Sequence, residues 1–312
     1  MKYCLCCGRP IVENGLWHKK CMVSFFGYDS LPEIKLAEGL KSLAIKQIEN
    51  KKAVAGVQEK LSLHLDLKAN KRPRLTIFGL PSGYILKPQS ATYKQLPEFE
   101  WTAMHMATVC GIPTVPHGLI PINASDELAY ITKRIDRDGD KKIHMEDFAQ
   151  ASGNTTDNKY RSNYEECVSL INKYSATPLL DRNLLFKCLY FCFVIGNSDM
   201  HLKNFSFIMD KDGHLSLAPF YDLLPTKVIL PTDHEDLGML LDNQKINLRK
   251  HNFDSFCKNV GIDEKTMNGI MSSIDKHEEE MYEIINRSSL NQNAKTSWCR
   301  MIHANIKRAK QP

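Results

Sequence analysis

The chain has 312 residues, of which 43% are hydrophobic and 25% charged, and its formal net charge is +5 at pH 7. This composition is typical of a globular protein with a full core in one large domain or two lobes, and the mild charge does not by itself indicate nucleic acid. We see no run of about eighteen apolar residues and no apolar signal segment, so we predict neither a transmembrane helix nor a secretory leader.

The N-terminal segment, residues 1–48, carries two close pairs of metal-ligand residues. Cys4 and Cys7 have the spacing Cys-x-x-Cys, and His18 and Cys21 have the spacing His-x-x-Cys. Such pairs on tight turns are typical of a small structural zinc site whose coordination positions are all filled by protein. The alternative is a packed N-terminus with unmetallated thiols.

The remaining cysteines point to a reducing environment. Cys110, Cys188 and Cys192 lie in apolar stretches, where cysteine behaves as a small hydrophobic residue. We therefore expect a reduced, cytoplasmic protein. The sequence leaves open whether it acts in the cell that makes it or in another cell.

Residues 49–137 show the features of a phosphate-binding lobe. Small residues around Gly56 would let backbone amides approach a polyphosphate, and the alternating leucines of 61–67 predict a strand. Lys87 ends a second apolar strand, where a kinase carries its phosphate-pairing lysine. Glu100 lies in the first turns of a helix predicted over 98–111 and is expected to pair with Lys87. The alternatives are a solvent-facing lysine and a carboxylate that favours the helix N-terminus.

The strand predicted from residue 128 runs into a charged segment that ends at Arg137. A strand of this kind can bind adenine through its backbone and a ribose through Asp136. We therefore place the end of the first lobe at this segment.

A catalytic loop is predicted in the second lobe, residues 138–312. An apolar helix over 184–195 ends at Gly196 and is followed by Asp199 and Asn204, which have the kinase spacing Asp-x-x-x-x-Asn. A hairpin then leads to Asp222, where a kinase places its second magnesium ligand. The alternative is a polar loop after a buried helix. Apolar residues at helical spacing continue through the C-terminal part.

Taken together, these motifs resemble the HipA-like Ser/Thr kinases, the toxin components of bacterial toxin–antitoxin modules. The resemblance is carried by six segments in the family's order: 54–60, 85–87, 134–137, 146–150, 196–205 and 219–224. It implies an α+β fold, bilobal and protein-kinase-like, with a mixed first lobe and a mostly helical second lobe. Because the segment before the phosphate loop is short, the chain is more similar to the HipT-like type.

The resemblance also implies which residues take part in catalysis and in binding ATP and magnesium. Asp199 would be the catalytic base that aims the substrate hydroxyl, and Asn204 and Asp222 would hold magnesium. The residues implied to contact ATP or its magnesium are Ala55, Gly56, Val57, Gln58, Glu59, Lys60, Lys87, Lys133, Arg134, Ile135, Asp136, His201, Asn204, Tyr221 and Asp222.

The expected function is that of an ATP-dependent Ser/Thr protein kinase with a protein substrate and an antitoxin partner. Related toxins phosphorylate an aminoacyl-tRNA synthetase. We expect no membrane association and no direct nucleic-acid binding. One alternative is a kinase-shaped module that binds nucleotide without turnover. Another is a zinc-dependent nucleic-acid protein, against which the mild charge argues.

Two positions depart from the family pattern. The family often carries an autophosphorylated serine where this chain has Ala53, so the switch is absent, moved elsewhere or removed by substitution. Lys133 stands where the family commonly has a glutamate, which affects side-chain contacts of the predicted adenine segment but not backbone contacts.

Overall fold

The computed structural model describes residues 2–12, 15–34, 60–67, 73–76, 82–123, 125–139, 141–153, 160 and 162–312. The chain divides into two compact units, and each is composed of separate stretches. Unit 1 consists of Met1–His105, Val115–Lys142 and Arg287–Ser289. Unit 2 consists of Met106–Thr114, Ile143–Asn286 and Leu290–Pro312. The lobe boundaries given by the sequence, 1–48, 49–137 and 138–312, stay predictions.

The strands of unit 1 are β1 (Lys2–Tyr3), β2 (Pro10–Ile11), β3 (Glu33–Ile34), β4 (Leu61–Asp66), β5 (Arg74–Thr76), β6 (Tyr84–Lys87), β7 (His117–Pro121), β8 (Leu128–Lys133), β9 (Arg137–Asp138) and β10 (Lys141–Lys142). Six of them form a mostly antiparallel sheet with the order β3-β5-β4-β6-β8-β7, in which β3 and β5 are the parallel pair. The helices of this unit are α1 (Lys19–Phe26) and the first part of α2 (Leu96–Val109).

The N-terminal segment packs onto the edge strand of this sheet. Trp17 is buried, and its indole Nε1 donates to the Leu119 carbonyl at 2.8 Å. The Leu119 amide in turn donates to the Leu5 carbonyl at 2.9 Å. Gly118 is required here, because a Cβ at that position would lie 2.4 Å from the Trp17 ring. The segment therefore covers a strand edge that would otherwise present unpaired backbone groups.

Unit 2 is mainly helical. Its helices, together with the end of α2, are α3 (Phe148–Ala151), α4 (Tyr164–Tyr174), α5 (Pro178–Ile195), α6 (Thr226–Ile229), α7 (Lys250–Val260), α8 (Glu264–Asp275), α9 (Glu278–Arg287, whose last residue belongs to unit 1) and α10 (Gln292–Arg308). A 3₁₀ turn covers Leu202–Asn204. A three-stranded antiparallel sheet has the order β11 (Met145–Asp147), β12 (Ser206–Met209) and β13 (Leu215–Leu217).

Helix α5 forms the centre of this unit and confirms the predicted core helix. Its residues from Leu185 to Ile195 are almost all buried. It ends at Gly196, whose φ of 79° suits glycine, and a Cβ there would lie 2.3 Å from the Met301 sulfur. From α10, the Trp298 indole donates to the Ile195 carbonyl at 3.0 Å and satisfies an otherwise orphaned helix-end acceptor.

The structure confirms the α+β fold class, with the sheet in unit 1 and most of the helices in unit 2. It also confirms the predicted strands at β4, β6 and β8, the helix at α2 and the β12–β13 hairpin. Within the residues described, none of the helices has the length and apolar character that a membrane span requires.

Candidate active site

The structure describes only some of the residues predicted to bind phosphate in unit 1. Ala55, Gly56, Val57, Gln58 and Glu59, as well as Ala53, lie outside the described residues. Lys60 is exposed and directly precedes β4.

Lys87 forms a buried ion pair, which confirms its predicted pairing with Glu100. Its Nζ lies 2.5 Å from Glu100 Oε1, and the two residues are 3% and 0% exposed. The lysine comes from the end of β6 and the glutamate from the first turns of α2. Because Lys87 is opposite Tyr130 in the β6–β8 register, its ammonium also lies 5.2 Å from the centroid of that ring.

The predicted adenine segment, residues 133–135, begins at the last residue of β8, and two of its amides already donate hydrogen bonds. The Lys133 amide donates to the Pro116 carbonyl at 3.0 Å, and the Arg134 amide donates to the Gly83 carbonyl at 2.9 Å. Lys133 is exposed and Ile135 is half-buried. A backbone donor for adenine in this segment must therefore come from a residue other than Lys133 or Arg134.

The Asp136 carboxylate is held by two arginines. Arg134 donates to both oxygens at 2.9 and 2.7 Å, and Arg137 donates to Oδ2 at 2.6 Å. Burial raises the pKa of Asp136, but the hydrogen bonds and charge of Arg134 and the charge of Arg137 outweigh it and hold the pKa below its ordinary value. A ribose hydroxyl at Asp136 would have to share an ionised carboxylate with both guanidinium groups.

In unit 2, Asp199 lies in the loop that leaves α5. Its amide donates to Asn197 Oδ1 at 3.1 Å, and Asn197 is fully buried. The loop is anchored at Ser198, whose amide donates to Thr226 Oγ1 at 2.7 Å. The half-buried Asp199 carboxylate accepts a hydrogen bond from the Tyr160 hydroxyl.

Asn204 ends the 3₁₀ turn and is buried together with His201. Its amide donates to the His201 carbonyl at 2.8 Å, and its side-chain oxygen accepts from the His201 amide at 3.4 Å. This reciprocal arrangement fixes the direction of the Asn204 side chain.

Asp222 follows the hairpin with left-handed backbone, at φ 59°. Non-glycine residues seldom adopt this conformation, although aspartate and asparagine tolerate it best. The neighbouring Tyr221 hydroxyl lies 2.6 Å from Ser206 Oγ and donates to the Lys203 carbonyl at 3.2 Å. These contacts bring the chain beside Asp222 to the chain beside Asn204, at one end of the hairpin.

A separate cluster of metal-ligand residues lies in unit 1. One ligand atom from each of Cys4, Cys7, His18 and Cys21 lies within 4.8 Å of all the others. His18 Nδ1 lies 3.4 Å from the Cys7 sulfur and 3.9 Å from the Cys21 sulfur. His18 Nε2 lies 3.0 Å from the Pro10 carbonyl, to which it can donate. The sequence prediction that these four residues come together is confirmed.

Burial and the neighbouring thiols disfavour ionisation of the Cys21 thiol. Burial, followed by the proximity of Cys4 and Cys7, raises the pKa of Cys21 to about 12. A bound cation reverses this effect, because it stabilises thiolates instead of thiols.

Tyr160 is a residue of the candidate site that the sequence reasoning missed. It is the single aromatic side chain in the polar stretch 154–163. An aromatic residue isolated in such a stretch was the available signal, but nothing local indicates a partner 39 positions further along the chain.

Comparison with known proteins places these observations in a family. The model of the HipA-like C-terminal domain matches residues 52–281. The chain is 31% identical over 246 residues to the putative kinase Y4mE of Sinorhizobium fredii, covering 75% of this chain and 55% of that protein. It is 27% identical over 212 residues to the serine/threonine-protein kinase toxin HipA of Shewanella oneidensis, covering 62% and 47% of the two chains. The chain spans about half the length of the curated relatives it matches.

Its fold is similar to that of solved kinase structures, of which two are compared. HipA, in the toxin–antitoxin complex of Shewanella oneidensis MR-1 with HipB and operator DNA, gives a TM-score of 0.71 at 20% identity, covering 89% of this chain and 72% of that one. The proinflammatory kinase CtkA of Helicobacter pylori gives a TM-score of 0.56 at 13% identity, covering 75% and 90%. With the family model matching most of its length, this chain belongs to the family of the HipA-like C-terminal domain.

Proposed function

We propose that this protein is an ATP-dependent Ser/Thr protein kinase. The observation that carries the proposal is the buried Lys87–Glu100 pair. Burying two charges costs free energy that burying well-packed apolar side chains does not. A buried ion pair is therefore weak evidence that the pair is there to stabilise the fold. A lysine on a strand paired to a helix glutamate is the arrangement by which kinases hold ATP phosphates.

The residues of unit 2 supply the remaining chemistry of this proposal. The Asp199 carboxylate would accept the proton of an acceptor hydroxyl and aim that hydroxyl at the γ-phosphorus. Asn204 and Asp222 would hold magnesium, and their amide and carboxylate oxygens are the ligands that this ion prefers. When bound, magnesium neutralises charge on the transferred phosphoryl group. The buried turn at Asn204 and the left-handed backbone at Asp222 would set the directions from which these oxygens reach the ion.

The partners are also part of the proposal. The acceptor would be a serine or threonine of a protein, with an aminoacyl-tRNA synthetase as the substrate class taken from the family resemblance. The related HipA of Shewanella oneidensis is seen in complex with HipB, which supports an antitoxin partner for this chain. We retain the HipT-like type as part of the proposal, on the family resemblance alone.

The test is phosphoproteomic mass spectrometry of a bacterial lysate incubated with MgATP and this protein. New phosphoserine or phosphothreonine sites should accumulate with the wild-type chain and not with Asp199→Asn. No new phosphosites with either protein, together with retained ATP binding, would instead support the module that binds nucleotide without turnover. Equal new phosphorylation by both proteins would refute the role given to Asp199.

Asp222→Asn should separate backbone strain from metal binding. Asparagine tolerates the left-handed conformation but loses the negative charge, so we expect the Mg²⁺ concentration for half-maximal phosphoryl transfer to rise by at least about 10-fold. Magnesium titrations of the reaction rate measure this shift. Asp242→Asn is the control, because Asp242 also has positive φ, at 50°, but its carboxylate contacts Asn252 and Ser255. Equal shifts in both variants would contradict the role of Asp222.

We further propose that the cysteine cluster binds a structural zinc ion. Tetrahedral ligands at about 2.3 Å for sulfur and 2.0 Å for nitrogen are roughly 3.5 Å apart, close to the separations at His18. The Pro10 carbonyl favours the proton on His18 Nε2, which leaves Nδ1 to bind metal. Because the ligand set is complete, such an ion would stabilise the fold and not activate water.

Removal of zinc is expected to destabilise unit 1, because the cluster lies beside the residues that cover β7. The purified protein should contain one zinc per chain by elemental analysis, and Cys7→Ser should lose most of it and melt at a lower temperature. Cys299→Ser is the control, because Cys299 is also half-buried but lies in unit 2, outside the four-residue cluster. A Cys7→Ser protein with unchanged metal content and melting temperature would refute the site.

A further inference from the structure

The candidate base is held by a side chain from a different part of unit 2. The Tyr160 hydroxyl donates to Asp199 Oδ1. The Tyr160 ring meets the buried His201 ring edge to face, with centroids 4.8 Å apart and an interplanar angle of 78°. The phenol is thus fixed at its ring and at its hydroxyl, by two residues of one loop.

Tyr160 is suited to be a permanent donor. Burial, followed by the charge of Asp199 and the hydrogen bond to it, raises the pKa of Tyr160 far above its ordinary value. The phenol therefore keeps its proton at neutral pH, and its hydrogen bond to an ionised carboxylate is of the stronger, charge-assisted kind.

The backbone of Asp199 is held independently of this bond. Its amide donates to Asn197, which is fixed in the buried loop after α5. The carboxylate plane, by contrast, turns about a broad torsion that backbone placement does not restrict. A donor on one oxygen limits this rotation.

We propose that Tyr160 is a positioning residue for Asp199, which orients the carboxylate so that it can accept the proton of the acceptor hydroxyl. The inference rests on the proposed kinase function and adds a residue to it. Tyr160→Phe removes the hydrogen bond and retains the ring that packs on His201. The nucleotide is bound by other residues in this scheme, so its affinity should not change.

The test compares steady-state hydrolysis of MgATP, in which water takes the place of the acceptor hydroxyl and ADP and phosphate are released, by the purified wild-type protein and by Tyr160→Phe. We expect kcat to fall by about 10- to 100-fold, the size of one lost charge-assisted hydrogen bond, with KM for ATP within about twofold. Tyr190→Phe is the matched control, because the Tyr190 hydroxyl donates to Asp275 Oδ1 at 2.8 Å, also in unit 2. It should leave kcat unchanged.

A double-mutant cycle shows whether Tyr160 acts through Asp199. In an Asp199→Ala background, Tyr160→Phe should cause no further loss, because the group that it orients is gone. Additive losses would overturn the inference and indicate a general structural role. An increase in kcat for Tyr160→Phe would also overturn it, since the phenol would then be competing with the acceptor hydroxyl.

The experiment separates this inference from the proposed function. If the wild-type protein releases ADP faster than Asp199→Ala, and Tyr160→Phe equals the wild type, the role of Tyr160 fails while the kinase function stands. If the wild-type rate equals that of Asp199→Ala, the function assigned to Asp199 fails, and the positioning role fails with it.

Discussion

Asp199→Asn is expected to lower the rate of phosphoryl transfer by about 100- to 10,000-fold, the usual contribution of a positioned general base. Asparagine has nearly the same shape as aspartate and keeps an oxygen that can accept from Tyr160, but it cannot take a proton. ATP affinity should stay close to the wild-type value. Transfer of labelled γ-phosphate into lysate protein, with ATP binding measured by calorimetry, checks both expectations.

Asp210→Asn is the matched control for this substitution. Asp210 lies in the exposed turn between β12 and β13, where its Oδ1 accepts from the amides of Asp212 and His214. Asparagine can accept the same hydrogen bonds, so the rate should be unchanged. A wild-type rate for Asp199→Asn would remove Asp199 from the reaction.

Lys87→Met is expected to cause the largest loss of stability that we predict. The substitution leaves Glu100 as a charge buried without its partner, which costs about 3–5 kcal/mol of the free energy of unfolding. The double variant Lys87→Met/Glu100→Leu should recover most of this loss, because an apolar pair of similar size replaces the charges. Denaturant unfolding measures all three proteins.

The same three proteins also separate the effect of Lys87 on stability from its effect on ATP binding. The double variant should be folded and yet bind ATP weakly, because the lysine that pairs with phosphate is missing. Lys250→Met is the control, since the Lys250–Asp254 pair is 35% and 40% exposed and should contribute at most about 1 kcal/mol. If Lys87→Met were no less stable than Lys250→Met, the energetic account of the buried pair would be wrong.

The elements that carry the site were predictable because their signals are local. The apolar run of α5, its end at Gly196, and the alternating strands around the turn at 210–213 are written in adjacent residues. The Lys87–Glu100 pair was predictable for a different reason, because only 13 positions separate a strand end from the next helix. The four ligand residues of the cysteine cluster likewise lie within a short stretch of chain.

Contacts between distant segments could not be predicted in this way. The amides of Lys133 and Arg134 donate to the Pro116 and Gly83 carbonyls, which lie 17 and 51 positions earlier in the sequence, and these bonds leave neither amide for the predicted adenine contact.

The sequence by itself indicated the main strands and helices and the spacing of the motifs, because hydrophobic period and motif spacing act over a few turns of chain. The α+β class and most of the candidate residues followed from the family resemblance that these motifs carry. Only the tertiary structure decided that Tyr160 meets Asp199, that Trp17 covers the edge at Leu119, and that units 1 and 2 are each assembled from separate stretches. These features depend on which distant surfaces exclude water together, and no local pattern specifies that choice.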